Sequence, residues 1–229
     1  MYTLTVSLAY LRAARTHAAT NDVRYYLQGV YLDTGAGKIV ATDGHRLFVA
    51  NARGVKSAYP SVIIPNETLD AALQQFRGEY ARGKNLGGVD VKITIDGTHI
   101  AIDTPTGSVT GKALDGTFPE WRRVVPKPED IGEQVPAVLN TQYLADACDA
   151  LSIARNISKK VAGQHAIRIH MRGELPTVIA DTTADTLALV MPMRNDLRAE
   201  TARVACSMAH ADALAYSAET AEQVADEAA

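Results

Sequence analysis

Hydrophobic and polar positions along the chain fall into short alternating runs punctuated by glycine and proline, with three stretches in which apolar residues recur at helical spacing. Tyr2 to Val6 alternates and predicts a strand, after which Ser7 is placed to cap a helix from Leu8 to about Ala19, with Leu8, Leu11 and Ala18 near one face. Three strand-like runs follow, Tyr25 to Leu32, Lys38 to Thr42 and Arg46 to Asn51, divided by the turn chemistry of Thr34-Gly35-Ala36-Gly37 and Asp43-Gly44. The same order then recurs. Ser61 to Ile64 predicts a strand, Pro65-Asn66 opens a helix through Leu69, Leu73 and Phe76, and strands are expected at Val89 to Ile95, Thr98 to Asp103 and Ser108 to Leu114. A third round predicts a strand at Ala137 to Leu139, a helix from Thr141 to about Ala154, and strands at Ala166 to Arg172, Thr177 to Asp181 and Thr186 to Met191.

Three copies of one βαβββ unit define an α+β protein built on an internal repeat. Two copies are expected to pair into one domain over 1–126. The proline-rich, charged stretch Pro126 to Pro136 suits an extended linker, which leaves 127–194 as a partial domain of one unit. From 195 to 229 the chain is Ala-rich, with Leu197, Val204, Met208 and Leu214 at loosely helical spacing before it fades into acidic residues. That tail is expected to be helical and partly disordered.

Composition narrows the classes. At 229 residues and 47% hydrophobic, the chain can bury one sizeable core or two modest ones, which excludes disorder throughout. It contains no run of eighteen or more apolar residues, and its start, Met-Tyr-Thr-Leu-Thr-Val, lacks the features of a secretory signal, so a cytoplasmic protein with no membrane partner is expected. Cys148 and Cys206 are too few and too far apart for a disulfide framework or a cysteine-based metal site. The net charge of −3 is uneven: residues 195–229 carry −5, which leaves the rest at +2. A body so weakly basic cannot hold a polyanion by bulk charge. Nucleic acid would have to be held by local clusters of Lys and Arg, or by topology.

Catalytic chemistry finds little support. Asp43-Gly44-His45 offers one acid and one imidazole on what is first of all a tight turn, with no third positioned ligand. Gly35-Ala36-Gly37-Lys38 lacks phosphate-loop spacing and opens a strand instead of a helix. No Ser/His/Asp or Cys/His order stands out, and neither a metal nor a cofactor is called for. Trp121, the single tryptophan, reads as packing that closes a domain, with an indole hydrogen bond.

Asn21-Asp22-Val23-Arg24-Tyr25-Tyr26-Leu27-Gln28-Gly29-Val30, followed by Val40-Ala41-Thr42-Asp43-Gly44-His45-Arg46-Leu47, closely resembles the middle domain of the bacterial DNA polymerase III β sliding clamp family. Asp115-Gly116-Thr117-Phe118-Pro119-Glu120-Trp121-Arg122-Arg123-Val124-Val125-Pro126 is similar to the stretch closing that domain, and Val190-Met191-Pro192-Met193-Arg194 to the family's C-terminal end. The resemblance implies a DNA-clamp fold of paired βαβββ halves, with helices on one face of antiparallel sheets and lining a DNA-filled channel. It implies no catalysis. Two departures accompany it: the family's usual first domain has no counterpart, and the chain continues past the Met-Pro-Met-Arg ending. A middle domain plus about half a last domain is therefore expected.

By position in the family, a peptide-binding cleft would draw Arg24, Tyr26, Thr42, Gly44, His45, Arg46, Leu47, Pro119 and Val124 from the middle domain. From the last it would draw Asn140, Tyr143, Pro176, Leu189, Val190, Met191, Pro192, Met193 and Arg194. Methionines adapt to different partners, Pro192 and Gly44 fix the backbone, and rim arginines can orient a carbonyl or carboxylate. Leu47, Val124, Leu189 and Val190 would look the same as ordinary core residues. DNA contacts would come from Arg12 and Arg15 on the first helix, Arg77, Arg82 and Lys84 ending the second, and Arg155, Lys159 and Lys160 ending the third. Asn21 and Tyr25 would join them from a family loop. Cations at helix ends are equally what the macrodipole favours on a solvated surface. The function implied is a processivity factor, a homo-oligomer that holds duplex DNA and docks peptide motifs of polymerase and clamp-loader subunits. The alternative is a clamp mimic without a ring, carried by a phage or mobile element, that binds the same peptides as a decoy or adaptor.

Overall fold

Strand exchange between the first two repeats sets the architecture. The computed structural model describes residues 1–52, 59–76, 89–155, 166–181 and 185–193. The first unit comprises β1 (Tyr2–Ser7), α1 (Leu8–Arg15), β2 (Gly29–Asp33), β3 (Lys38–Thr42) and β4 (Arg46–Asn51). The second comprises β5 (Val62–Pro65), α2 (Asn66–Gln75), β6 (Asp90–Asp96), β7 (His99–Thr104) and β8 (Gly107–Lys112). The third contributes α3 (Thr141–Ala154), β9 (Ile167–Arg172), β10 (Leu175–Asp181) and β11 (Thr186–Val190). Each of the first two units gives its opening strand to the other. β1 pairs with β6, Tyr2 opposite Ile95, and β5 pairs with β2, Gly29 opposite Pro65.

Two antiparallel sheets result, one ordered β1-β6-β7-β8 and one ordered β5-β2-β3-β4-β11-β10-β9. The third unit joins the larger sheet through β11, which pairs with β4 and sets Leu189 opposite Leu47. One sheet therefore runs across the linker position expected from the sequence. Between Pro126 and Asn140 the chain makes a 3₁₀ turn (Pro128–Asp130), and Val135 bridges to Arg172.

The middle of the large sheet, β2, β3, β4 and β11, is buried on both faces, which explains why these strands read as nearly continuous apolar runs. Ile39, Ala41, Phe48, Ala188 and Val190 face a main core shared with the three helices and the small sheet. Val40, Leu47, Val49, Ile63 and Leu189 face the other way, into a second cluster closed by Phe118 and Trp121. α1 packs against both α2 and α3, and the alanines Ala13, Ala147 and Ala150 along that seam are fully buried. Among the described residues no helix is long and apolar enough to cross a membrane.

Four local expectations change. The first helix ends at Arg15, where the Thr16 hydroxyl and N–H both turn back to the Ala13 carbonyl. Ser7 occupies the N-cap position without a side-chain cap, and the Leu8 N–H instead donates to the Val89 carbonyl across the strand exchange. Tyr25–Leu27 is a 3₁₀ turn, because the Asp22 carboxylate gathers the Arg24 backbone and guanidinium and bends the chain before β2 begins. Ala137 to Leu139 forms no strand; the Val138 carbonyl accepts from the Met193 N–H instead. The expected tail helix and Cys206 lie outside the described residues.

Candidate functional site

On the face of the large sheet opposite the helices, the β4–β11 joint opens into a cavity of about 220 Å³. Side-chain alternation decides what reaches it: Leu47 and Leu189, paired across the joint, form its floor, while the neighbouring Phe48 and Val190 point into the main core. Leu27 and Trp121 add to the floor, and Thr42, Gly44, Pro119, Val124 and Met191 rise as walls.

The Thr42 to Leu47 turn is fixed by its own side chains. The Thr42 hydroxyl accepts from the Gly44 N–H at 3.0 Å and donates to the Arg46 carbonyl at 2.7 Å, and the Asp43 carboxylate accepts from the N–H groups of His45 and Arg46. Gly44 has φ +92°, a left-handed conformation that favours glycine, and a Cβ there would stand 2.7 Å from the Arg24 guanidinium, which would have to swing aside. Arg46 binds Asp43 at 2.9 Å and reaches across to Asp146 on α3, with its guanidinium over the Tyr143 ring. His45 stacks on the same ring, 5.6 Å between centroids. Turn and helix are thus clamped by one arginine shared between two carboxylates.

The opposite wall hangs from Asp33. Its buried carboxylate accepts the Trp121 indole N–H at 3.2 Å and Arg122 at 2.8 Å, while Phe118 stacks on Tyr31 at 4.6 Å. At the mouth, Arg24 forms a two-point ion pair with Asp22 and donates to the Asp43 carbonyl. Those hydrogen bonds from Arg24 hold the Asp22 carboxyl down to about 2 and push the Arg24 guanidinium up. The site is an apolar slot with a cation at its rim, and the Leu47 to Leu189 contact places both of its defining segments together.

Nine of the residues expected in a cleft line this slot: Arg24, Thr42, Gly44, Arg46, Leu47, Pro119, Val124, Leu189 and Met191. The other described ones do not line it. Tyr26 meets Tyr25 edge-on, and His45 and Tyr143 form the stacked pair beside the turn. Asn140 caps α3 by accepting from Gln142 and Tyr143 N–H groups, and Pro176 lies on β10 just before Thr177, which pairs with Val190. Val190 is fully buried in the main core, Pro192 is half-buried, Met193 is exposed, and Arg194 lies outside the described residues. Leu27, Glu120 and Trp121 were missed as lining: the strand reading of Tyr25 to Leu32 hid the 3₁₀ turn that aims Leu27 inward, and Trp121 both packs and lines.

Of the cations expected to meet DNA, Arg15 makes a bidentate pair with Asp70 on α2, and Arg155 lies 3.7 Å from Asp181. Arg12 is half-buried on α1, Asn21 is exposed with φ 56°, and Tyr25 is exposed. Arg77, Arg82, Lys84, Lys159 and Lys160 lie outside the described residues.

Residues 9–120 match the family profile described as DNA polymerase III beta subunit, central domain. The chain is 31% identical over 147 residues to the beta sliding clamp of Escherichia coli K12, covering 63% of this chain and 35% of that one. To the Caulobacter vibrioides NA1000 beta sliding clamp it is 32% identical over 117 residues, covering 48% and 29%. The chain thus spans about a third of the length of these curated relatives. Its fold is similar to crystal structures of the DNA polymerase sliding clamp from Pseudomonas aeruginosa (TM-score 0.54, 21% identity) and of the sliding clamp from Bartonella birtlesii bound to griselimycin (TM-score 0.57, 24% identity). The first covers 84% of this chain and 66% of the solved one, the second 85% and 66%.

Proposed function

The chain belongs to the bacterial β sliding clamp family, and we propose that it acts as a non-catalytic processivity factor whose slot docks short peptide tails of polymerase and clamp-loader subunits. The observation that carries this reading is the apolar cavity at the β4–β11 joint, a concave site rimmed by a few convergent polar groups and floored by paired strands. Two large apolar anchors buried there contribute roughly 1.5 to 3 kcal/mol each, short of the ~8 kcal/mol of micromolar binding, so polar contacts at the rim would have to supply the rest. Such a protein would hold duplex DNA as a homo-oligomer, the helix-bearing side toward the phosphates and the slot outward.

The test uses a short peptide bearing two adjacent large apolar side chains, followed by fluorescence anisotropy. Met191→Glu and Val124→Glu alter wall residues that are 37% and 39% exposed, so the fold should survive while affinity falls by about tenfold or more. Leu47 is 3% exposed and belongs to the floor, so a charge there would unfold the site rather than report on it. Unchanged peptide affinity in both folded variants rejects the docking role. Retention on nicked circular DNA, lost when the circle is linearised, tests the DNA-holding role separately.

A further inference from the structure

Most of the charge around the slot is spent on holding its walls. Arg24 is matched by Asp22, whose two oxygens accept from the Arg24 backbone N–H, Nε and Nη2. Arg46 is shared between Asp43 and Asp146. The remaining oxygen of Asp43 accepts the N–H groups of its own turn, and that of Asp146 accepts the Gln142 side-chain amide. Asp33 is equally occupied, one oxygen by the Ala36 N–H and the other by Trp121 and Arg122. Every oxygen of these four carboxylates is therefore committed to the fold of the site.

Glu120 is the exception. It lines the slot between Pro119 and Trp121, on the wall hung from Asp33, and its side chain is 53% exposed. Its Oε1 accepts from Arg122 at a long 3.3 Å, and its Oε2 has no hydrogen-bond partner among the described residues. Arg122 is also the poorer half of that pair, because the same guanidinium donates to Asp33 at 2.8 Å and lies 4.5 Å over the Trp121 ring. One guanidinium between two carboxylates leaves a net negative charge, and with Asp33 buried, Glu120 is the member that carries it to the surface. Arg123, the next cation along the chain, is exposed but does not line the slot. An apolar floor thus lies beside a single uncommitted carboxylate oxygen.

We infer that Glu120 is a specificity-determining residue, which receives a Lys or Arg side chain of the docked segment while that segment's apolar anchors fill the slot. This rests on the peptide-docking reading and deepens it, by naming the charge that the occupant carries beside its anchors. Glu120 adjoins Trp121, part of the floor, and an extended segment advances about 3.3 Å per residue, so the cation belongs within roughly two positions of an anchor. A long aliphatic stem suits the place, since it can lie against Pro119 and Val124 while its charge reaches the rim. An acidic residue at the same position meets Glu120 without a partner, so one carboxylate selects both for and against. The charges meet at an exposed rim, which makes the preference modest and sensitive to salt.

Fluorescence anisotropy of the full chain with three labelled peptides decides it. All three carry two adjacent leucines as anchors, and they differ only in being flanked on both sides by Lys, by Gln or by Glu. At low ionic strength the Lys-flanked peptide should bind about three- to tenfold tighter than the Gln-flanked one, and the Glu-flanked one more weakly still, with the spread closing at about 0.5 M salt. Glu120→Gln should bring the Lys and Gln peptides to within about twofold of each other, and Glu120→Lys should invert the order in favour of the Glu-flanked peptide, a reversal that loosening of the wall would not produce. A wild type that binds all three alike, or a Lys preference that survives in Glu120→Gln, overturns the role of Glu120 and leaves the docking reading standing. Failure of the wild type to bind any of the three overturns both.

Discussion

Single residues at this site act through what surrounds them. Gly44 combines a left-handed backbone with the Arg24 guanidinium where a side chain would go. Gly44→Ala should therefore cost roughly 1–3 kcal/mol in a denaturant titration and weaken peptide binding at the rim; an unchanged midpoint would mean that the turn relaxes freely. His17 behaves differently. Fully buried against Phe48, with no protein partner for its Nε2, it has a pKa lowered from 6.5 to about 4, first by burial and then by the nearby Arg46 charge. The folded state keeps it neutral, whereas the unfolded chain takes up a proton below its ordinary value. Its contribution is complete above pH 6.5 and drains away toward pH 4, at up to about 1.4 kcal/mol per pH unit. Stability profiles against pH for wild type and His17→Leu should diverge in that window alone, and parallel profiles would show that His17 does not titrate there.

At the scale of elements, the slot depends on two clamps that join distant segments. Asp33 on β2 holds Trp121 and Arg122, so Asp33→Ala leaves a buried indole N–H unpaired and should cost roughly 1–3 kcal/mol. The near-ultraviolet signal of Trp121 should change with it; an unaltered spectrum and midpoint would place the wall's support elsewhere. Most elements were legible in the sequence because alternation and helical periodicity are local: α3 matches its expected bounds, and β3 and β4 match theirs. What failed to show was nonlocal. Val190 could be assigned to cleft or core only once β11 was known to pair with β4 in a register that turns Leu189, and not Val190, toward the outer face. The Tyr25–Leu27 turn was hidden for a different reason: an aromatic-rich run has strand character, and that outweighed the local Asp22 to Arg24 contacts that bend the chain.

Over the whole molecule, the repeat was readable before any pairing was known, and it is what made the family resemblance interpretable. The exchange of opening strands was not readable, since nothing in Tyr2 to Ser7 names β6 as its partner. The main core takes side chains from both sheets and all three helices, so the described body should unfold as a single cooperative unit. Far-ultraviolet circular dichroism and Trp121 fluorescence, which report on the backbone and on the outer cluster, should give coincident transitions. Separate midpoints would instead place a thermodynamic boundary near the linker.

The crossed strands also set an order of events during synthesis. Tyr2 emerges from the ribosome long before Ile95, its neighbour in the sheet, so the earliest segment must wait, unpaired, for most of the second repeat to be made. Closing so long a loop is entropically expensive and slow. A nascent chain stalled before β6 has no register for its first strand and is the form in which this protein is most open to proteolysis or to pairing with the wrong neighbour.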